Sequence, residues 1–246
     1  MATDPAEIPS VWTRPARERR DQPALSRDQI VGEAIRLLDE EGFDALSMRK
    51  LGARLGAGAT SLYTHVANKD ELLELVVDQV IGEVPAPTPD GARWRAVMHE
   101  QAAGLRATML AHPWLAVVLS SAALMHLGPN MMRLSDSMIA ILEVADLPDE
   151  AVDIAADTIF EFIVGACSNE AATLRTIASS ELSQEQWIIQ VLVAGEAATR
   201  PFPRLHRRYA EQRAQPPEVT SARMFDRFTK ELDLILDGVD TRRASS

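Results

Sequence analysis

Apolar residues recur at Ile30, Ala34, Leu37 and Leu38, the i, i+4, i+7, i+8 spacing that gathers one face of an α-helix. Ser26 stands ahead of them as an N-cap, and Gly42 stops the run by tolerating a left-handed backbone. A second helix, capped by Ser47, turns Met48, Leu51 and Leu55 to one side. Gly56-Ala57-Gly58 predicts a tight turn, and a short third helix from Thr60 to Val66 keeps Leu62 and Val66 inward. Asn68 or Lys69 opens a fourth helix, with Leu72, Leu73, Val76 and Val80 spaced for packing. Three short helices with a turn between the second and third predict a helix-turn-helix unit.

The pattern stays helical beyond it. Pro85, Pro87 and Pro89 mark a linker, and helices are predicted over 91–111, 131–145, 149–178, 184–199 and 221–236. Pro113 begins a separate segment, Leu127-Gly128-Pro129 makes a break, and Asp146 to Asp149 forms a turn around Pro148. Pro201, Pro203, Pro216 and Pro217 bracket what reads as a polar loop. No strand-like alternation occurs. The helix over 149–178 carries two apolar stripes, Val152-Ala156-Ile159-Ile163-Ala166 and Ile154-Phe160-Val164-Cys167-Ala171-Leu174. A surface helix needs one, so one side is expected to face the core and the other a partner. The last helix has a stripe of its own: Phe225, Phe228, Leu232, Ile235 and Leu236. The fold class expected is all-α, with an N-terminal three-helix helix-turn-helix domain joined to a larger helical domain. The divisions are a flexible arm at 1–24, the head at 25–84, the larger domain at 85–240 and a tail at 241–246.

Composition removes several function classes. Apolar residues make up 46 % of the 246 residues, enough for a sizeable core. A single cysteine, Cys167, excludes an intrachain disulfide and reads as a small buried residue. No apolar run is long enough to span a membrane, and the polar, proline-rich start lacks a signal-peptide core, so a cytoplasmic protein is expected. Catalytic frames are missing. His99-Glu100 has no second histidine four positions on, and there is no Gly-x-Ser-x-Gly or Cys-x-x-Cys. Gly56 to Ser61 superficially resembles a phosphate loop but lacks its Lys-Ser/Thr ending and a preceding strand. No enzymatic activity, metal site or cofactor is expected.

The segment Leu25 to Val84 resembles the DNA-binding domain of the tetracycline-repressor (TetR) family of bacterial regulators. The resemblance rests on Leu25-Ser26, Ala34-x-x-Leu37-Leu38, Gly42-Phe43, Leu46-Ser47-Met48-Arg49-Lys50-Leu51, Leu55-Gly56 and, most specifically, Leu62-Tyr63-Thr64-His65-Val66-x-Asn68-Lys69-x-x-Leu72-Leu73. Weaker echoes fall at Leu105 to Pro113 and Gly165 to Ala171. The resemblance implies that the third helix enters the major groove of double-stranded DNA. Base contacts then fall on Arg49, Ala59, Thr60 and Tyr63, and phosphate contacts on Ser47, Ser61, Thr64, His65 and Lys69. A guanidinium fork matches guanine O6 and N7, so Arg49 suits a guanine. The tetracycline repressor reads a base with glutamine where this chain has Ala59, whose methyl suits thymine, so the operator is expected to differ. The residues leave blander roles open: a solvated Arg49, a core Tyr63, a surface His65.

Charge then changes the picture. The net charge of −11 would repel DNA if spread evenly. Residues 1–69 carry ten Lys/Arg against ten Asp/Glu, and residues 70–246 carry fifteen against twenty-six. The repulsion belongs to the larger domain. Arg14, Arg17, Arg19, Arg20 and Arg27 precede or open the first helix, as an arm on DNA or as a solubilising tail.

For the larger domain the resemblance implies a homodimer on a palindromic operator, held by two C-terminal helices from each subunit. Ala155, Ala156, Gly165 and Ala166 would allow close approach. It also implies a repressor released by a small-molecule effector. Residues joining apolar bulk to a polar or polarisable tip are the lining candidates: Trp94, His99, Met109, His112, Trp114, Met125, His126, Met132, Phe160 and Asn169. The tetracycline repressor holds its drug through magnesium with a histidine and a glutamate. Leu119 and Asn169 occupy those positions here, so a hydrophobic or aromatic effector is expected instead. Two further readings stay open: a ligand-sensing or structural helical dimer without specific DNA binding, and an activator of the same build.

Overall fold

The computed structural model describes residues 25–119, 128–214 and 221–243. The helices are α1 (Arg27–Glu41), α2 (Met48–Arg54), α3 (Ala59–Leu62), α4 (Lys69–Ile81), α5 (Trp94–Ala111), α6 (Trp114–Leu119), α7 (Pro129–Glu143), α8 (Asp149–Ala178), α9 (Gln184–Ala198), α10 (Pro203–Arg213) and α11 (Ser221–Arg243). Among the described residues no strand occurs. Two compact units result: Met1–Cys167 with Val239–Ser246, and Ser168–Gly238.

Local chemistry sets the helix starts. Ser26 accepts the Gln29 N–H at 3.1 Å while the Gln29 side chain accepts the Ser26 N–H at 2.8 Å, a capping box. Asn68 caps α4 through the Glu71 N–H at 2.8 Å, and Glu71 in turn accepts the Ala67 N–H at 2.9 Å. Ile30, Ala34, Leu37 and Leu38 of α1 meet Leu51, Leu62 and Val66 in the core of the head.

The first unit is organised around α4, which packs on α1 and on α5, α6 and α7. Its sequence suggests one apolar stripe, yet Leu72, Leu73, Leu75, Val76, Val77, Val80 and Ile81 are all buried. A helix surrounded on every side buries every side. Glu71, Glu74 and Asp78 are buried with them. Asp78, 4 % exposed, accepts the backbone N–H groups of Asn130 (2.8 Å) and Met131 (3.1 Å) and the Asn130 amide (3.0 Å). It therefore acts as the N-cap that Gly128 cannot supply to α7. Gly128 is required there, because a Cβ would fall on the Asp78 carboxylate. In return Arg133 of α7 donates to the Val84 and Ile81 carbonyls at 3.0 and 3.4 Å, satisfying the end of α4.

Other differences from the sequence reading have local causes. The third helix is shorter than Thr60–Val66: regular α geometry ends at Leu62, and turn hydrogen bonds such as His65 N–H to Leu62 O carry the chain on. α7 begins at Pro129, because proline at a first helical position lacks only a donor that is unpaired anyway. α11 continues past 236 to Arg243, so residues 241–243 of the expected tail are helical. Arg243 and Arg95 donate to Asp240 at 2.7 Å each, and both guanidinium groups lie over the Trp94 ring. In α8 the buried stripe is Val152, Ile159, Ile163, Cys167 and Ala171, while Ile154 is 66 % exposed.

In the second unit, the polar loop expected between Pro201 and Pro217 is helical over α10; Pro216 and Pro217 lie outside the described residues. Pro203 starts α10, and three contacts hold it to α9. The Tyr209 ring lies against Gly195, His206 Nδ1 donates to the Glu196 carbonyl at 2.9 Å, and Arg213 pairs with Glu196 at 2.5 Å. α9 buries no residue of its own, and Ile189, Val191 and Val193 are exposed.

Replacing Asp78 by alanine leaves two α7 N–H groups without an acceptor. Chemical denaturation of Asp78→Ala is expected to show a loss of about 1–3 kcal/mol.

Candidate nucleic-acid interface

The turn joining α2 to α3 depends on Gly56, whose φ of 63° lies in the left-handed region. Leu51, Leu62 and Val66, all buried beneath it, fix the two helices as one body. Outside that core Ser47, Arg49, Thr60, Ser61, Tyr63 and Thr64 are exposed, and His65 and Lys69 are half-buried. Ala59 is the first residue of α3. Tyr63 is 46 % exposed, which removes the core-packing role left open for it.

These side chains differ in what they have left to offer. Ser47 caps α2 by accepting the Lys50 N–H at 3.2 Å, and its own O–H still points to any acceptor outside. Thr64 donates to the Ser61 carbonyl at 2.7 Å, so holding a phosphate requires that bond to open. Lys69 Nζ lies 5.0 Å from the centroid of the Phe43 ring, which steadies a cation at the start of α4.

The acidic side chains of α1 decide which cations stay available. Arg54 donates to Glu33 at 2.5 Å and Glu40 at 2.7 Å, Lys50 pairs with Glu41, and Arg36 pairs with Glu33. The hydrogen bonds that Arg54 donates to Glu40 and Glu33 raise its pKa, fixing its charge. Hydrogen bonds from Arg36 and Arg54 hold the Glu33 carboxyl below its ordinary value against the opposing effect of burial. Arg49 makes no ion pair among the described residues, so the charge facing outward from α2 is its guanidinium.

Residues 30–76 match the family model for bacterial regulatory proteins of the tetR family, and residues 86–243 match that for the tetracyclin repressor-like C-terminal domain. The chain belongs to the tetracycline-repressor family. It is 41 % identical over 162 residues to a helix-turn-helix-type transcriptional regulator of Saccharopolyspora erythraea, covering 66 % of this chain and 68 % of that protein. It is 33 % identical over 235 residues to the helix-turn-helix-type transcriptional repressor DrrR1 of Streptomyces coeruleorubidus, covering 94 % and 83 %. The fold is also similar to the crystal structure of the TetR family protein ActR of Streptomyces coelicolor in complex with actinorhodin. The TM-score is 0.72 at 31 % identity, over 88 % of this chain and 97 % of that one.

In this family member the effector candidates differ in burial. Met109 is buried, His99 and Phe160 are half-buried, and Met132 and Asn169 are exposed; Met125 and His126 lie outside the described residues, as does the arginine arm before residue 25. Trp94 is 4 % exposed and capped by Arg95 and Arg243. His112 and Trp114 both turn their ring N–H groups to Asp39. Two open grooves, of about 440 and 450 Å³, are lined by 87–90 with Arg93, Val97 and Glu100, and by Leu25, Asp28, Gln29, Gly32, Arg36 and Leu55. Neither draws on these candidates. Among the described residues no helix is long and apolar enough to cross a membrane.

Sequence reasoning passed over Asp39, Asp78 and the Glu33–Arg54 pair. One signal was available. The last turn of α1 carries Asp39, Glu40 and Glu41 with no basic residue, where the helix dipole disfavours negative charge. Such an arrangement calls for cations from elsewhere in the fold.

Because the folded Glu33 pKa is lowered, the stability it supplies is present above the ordinary value near 4.5 and disappears as pH falls through the lower folded value. Glu33→Gln is expected to lower stability by about 1–3 kcal/mol at neutral pH. Denaturant titrations over the acid range should show wild type and variant converging below that value. A gap that persists in acid would mean that the charge of Glu33 is not its contribution.

Proposed function

We propose that the protein is a homodimeric repressor that binds a palindromic operator through the head at 25–84 and leaves it when a small molecule binds the domain at 85–240. The observation that carries this reading is the exposed row Ser47, Arg49, Thr60, Ser61 and Tyr63 mounted on a buried core, with Arg49 in no ion pair among the described residues while Lys50 and Arg54 are neutralised. Arg49, Ala59, Thr60 and Tyr63 read base edges. Ser47, Ser61, Thr64, His65 and Lys69 hold phosphates and fix register. One short reading helix contacts few base pairs, and a two-fold dimer doubles it. Exposed apolar side chains support a second copy: Ile154 of α8, Leu234 of α11 at 73 %, and Val191 and Val193 of α9.

An aromatic or hydrophobic effector is favoured. ActR, similar over most of this chain, is known in complex with actinorhodin, and Leu119 and Asn169 stand where the tetracycline repressor has its magnesium-linked histidine and glutamate. The lining is drawn from Met109, Phe160, His99, Met132 and Asn169, with Met125 and His126. Trp94, His112 and Trp114 are engaged in structural contacts already described. The protein works in the cytoplasm as a regulator with no enzymatic role.

Fluorescence anisotropy against duplexes that the protein selects from a random-sequence library tests the head. Arg49→Ala is expected to lose about 1–3 kcal/mol per half-site and to relax specificity at one base pair, and Tyr63→Ala to weaken specific binding comparably. Sedimentation should show both variants as dimers. Wild-type affinity in both would refute the assignment of the reading surface.

A further inference from the structure

Among the described residues the head meets the rest of its unit through α4, which packs on α5, α6 and α7, and through a polar cluster off that helix. α4 is bolted to α7 by Asp78 in one direction and Arg133 in the other. These contacts seat α4 in the body, and α1 packs on α4 in turn, but contacts along α4 alone do not set how α1 is tilted against the body. The polar cluster is the second attachment. His112, at the C-cap of α5, donates from Nδ1 to Asp39 Oδ1 at 2.7 Å, and Trp114, first residue of α6, donates from Nε1 to the same oxygen at 2.6 Å. The other ring nitrogen of His112 stands 3.3 Å from Glu83 Oε2, just beyond the end of α4. The His112 and Trp114 rings meet edge to face at a centroid distance of 6.0 Å. Residues from α1, the end of α4, α5 and α6 thus converge on one imidazole. The donors are sheltered, with the His112 side chain 12 % exposed and Trp114 buried, while the Asp39 carboxylate that accepts from both is open to solvent.

We infer that Asp39, His112 and Trp114 form a positioning strut that sets the angle of the DNA-reading head and thereby the half-site spacing the dimer accepts. This rests on the dimeric, operator-binding reading above. The dimensions of the head suit this role. α1 has 15 residues and so is about 22 Å long at the usual rise. A tilt of about 10° moves a point roughly 20 Å away by about 3.5 Å, close to the rise of one base pair. A small slackening at the strut therefore shifts a head by a whole step along DNA without altering how it reads its own half-site. Among the described residues Asp39 makes its hydrogen bonds with His112 and Trp114 and none with the reading surface, so its effect on head orientation is separable from base reading.

The test uses the full-length protein and the duplex it selects from a random-sequence library, remade with one base pair added or removed between half-sites, together with a duplex holding one half-site. Asp39→Ala removes the shared acceptor; Trp114→Phe keeps the ring bulk and removes one donor. Arg95→Ala, which breaks an ion pair to Asp240 outside the head, serves as the control for general destabilisation. Wild type and Arg95→Ala are expected to prefer the native spacing by roughly tenfold or more. Asp39→Ala and Trp114→Phe should reduce that preference to about threefold or less while their single-half-site affinity stays within about twofold of wild type. Unchanged spacing preference in both variants overturns this inference and leaves the operator reading intact, as does an equal loss of preference in Arg95→Ala. Failure of the wild-type protein to select any duplex overturns the operator reading and this inference together.

Discussion

The buried carboxylate of Asp78 is the contact on which the arrangement of the first unit depends. A carboxylate removed from water is tolerated only when donors replace the water, and here two backbone N–H groups and an amide do so at 2.8 to 3.1 Å. The same bonds begin α7, since the first N–H groups of a helix have no internal acceptor. One side chain therefore settles two otherwise unfavourable situations, and neither helix can shift along the other without reopening both. Arg133 repeats the arrangement in reverse at the end of α4. The apolar residues around α4 supply most of the burial, but they are non-directional; Asp78 and Arg133 fix which turn of α4 faces which turn of α7.

A second constraint acts on the head. Asp39, Glu40 and Glu41 close α1 with negative charge that the helix dipole disfavours. The structure assigns each acid a partner: Glu40 takes Arg54, Glu41 takes Lys50, and Asp39 takes His112 and Trp114. Those partners come from α2 and from the α5–α6 junction, so neutralising the acids also ties α1 to its neighbours. The cations consumed are not the ones facing outward. Arg49, one residue from Lys50 but on the exposed side of α2, makes no ion pair among the described residues.

How much of this was legible in the sequence follows from the range over which each feature is decided. Ser26, Ser47 and Asn68 were readable as caps because capping is settled within three residues. The helix-turn-helix was readable because it needs its glycine turn and buried leucines at fixed offsets, and Gly56, Leu51 and Leu62 meet both needs. α10 was not readable: Pro203 to Arg213 is strongly polar and flanked by prolines, and what makes it helical is docking of Tyr209, His206 and Arg213 on α9. The all-round burial of α4 was missed because Glu71, Glu74 and Asp78 look like a solvated face until their acceptors are seen to be occupied. The lining candidates suffered from the same limit. Trp94, His112 and Trp114 were chosen as apolar groups with polar tips, and such groups serve equally well to join helices, which is what the neighbouring Asp39, Arg95 and Arg243 make of them.

The two attachments of the head differ in kind, and that difference bears on how a signal could travel. The α4–α7 joint is buried and reciprocal, so opening it leaves several polar groups without partners at once. The strut is a small cluster in which one carboxylate oxygen accepts two donors, with Glu83 beside it more than half exposed. An effector need only bind more tightly to a body in which α5 and α6 are displaced to favour a loosened strut, while α4 stays seated. Its action on DNA is then bounded by its differential affinity for the two head orientations, and DNA of the matching spacing opposes the effector by the same amount. A joint made to resist sliding and a strut made to be released divide these tasks between buried and half-exposed charge.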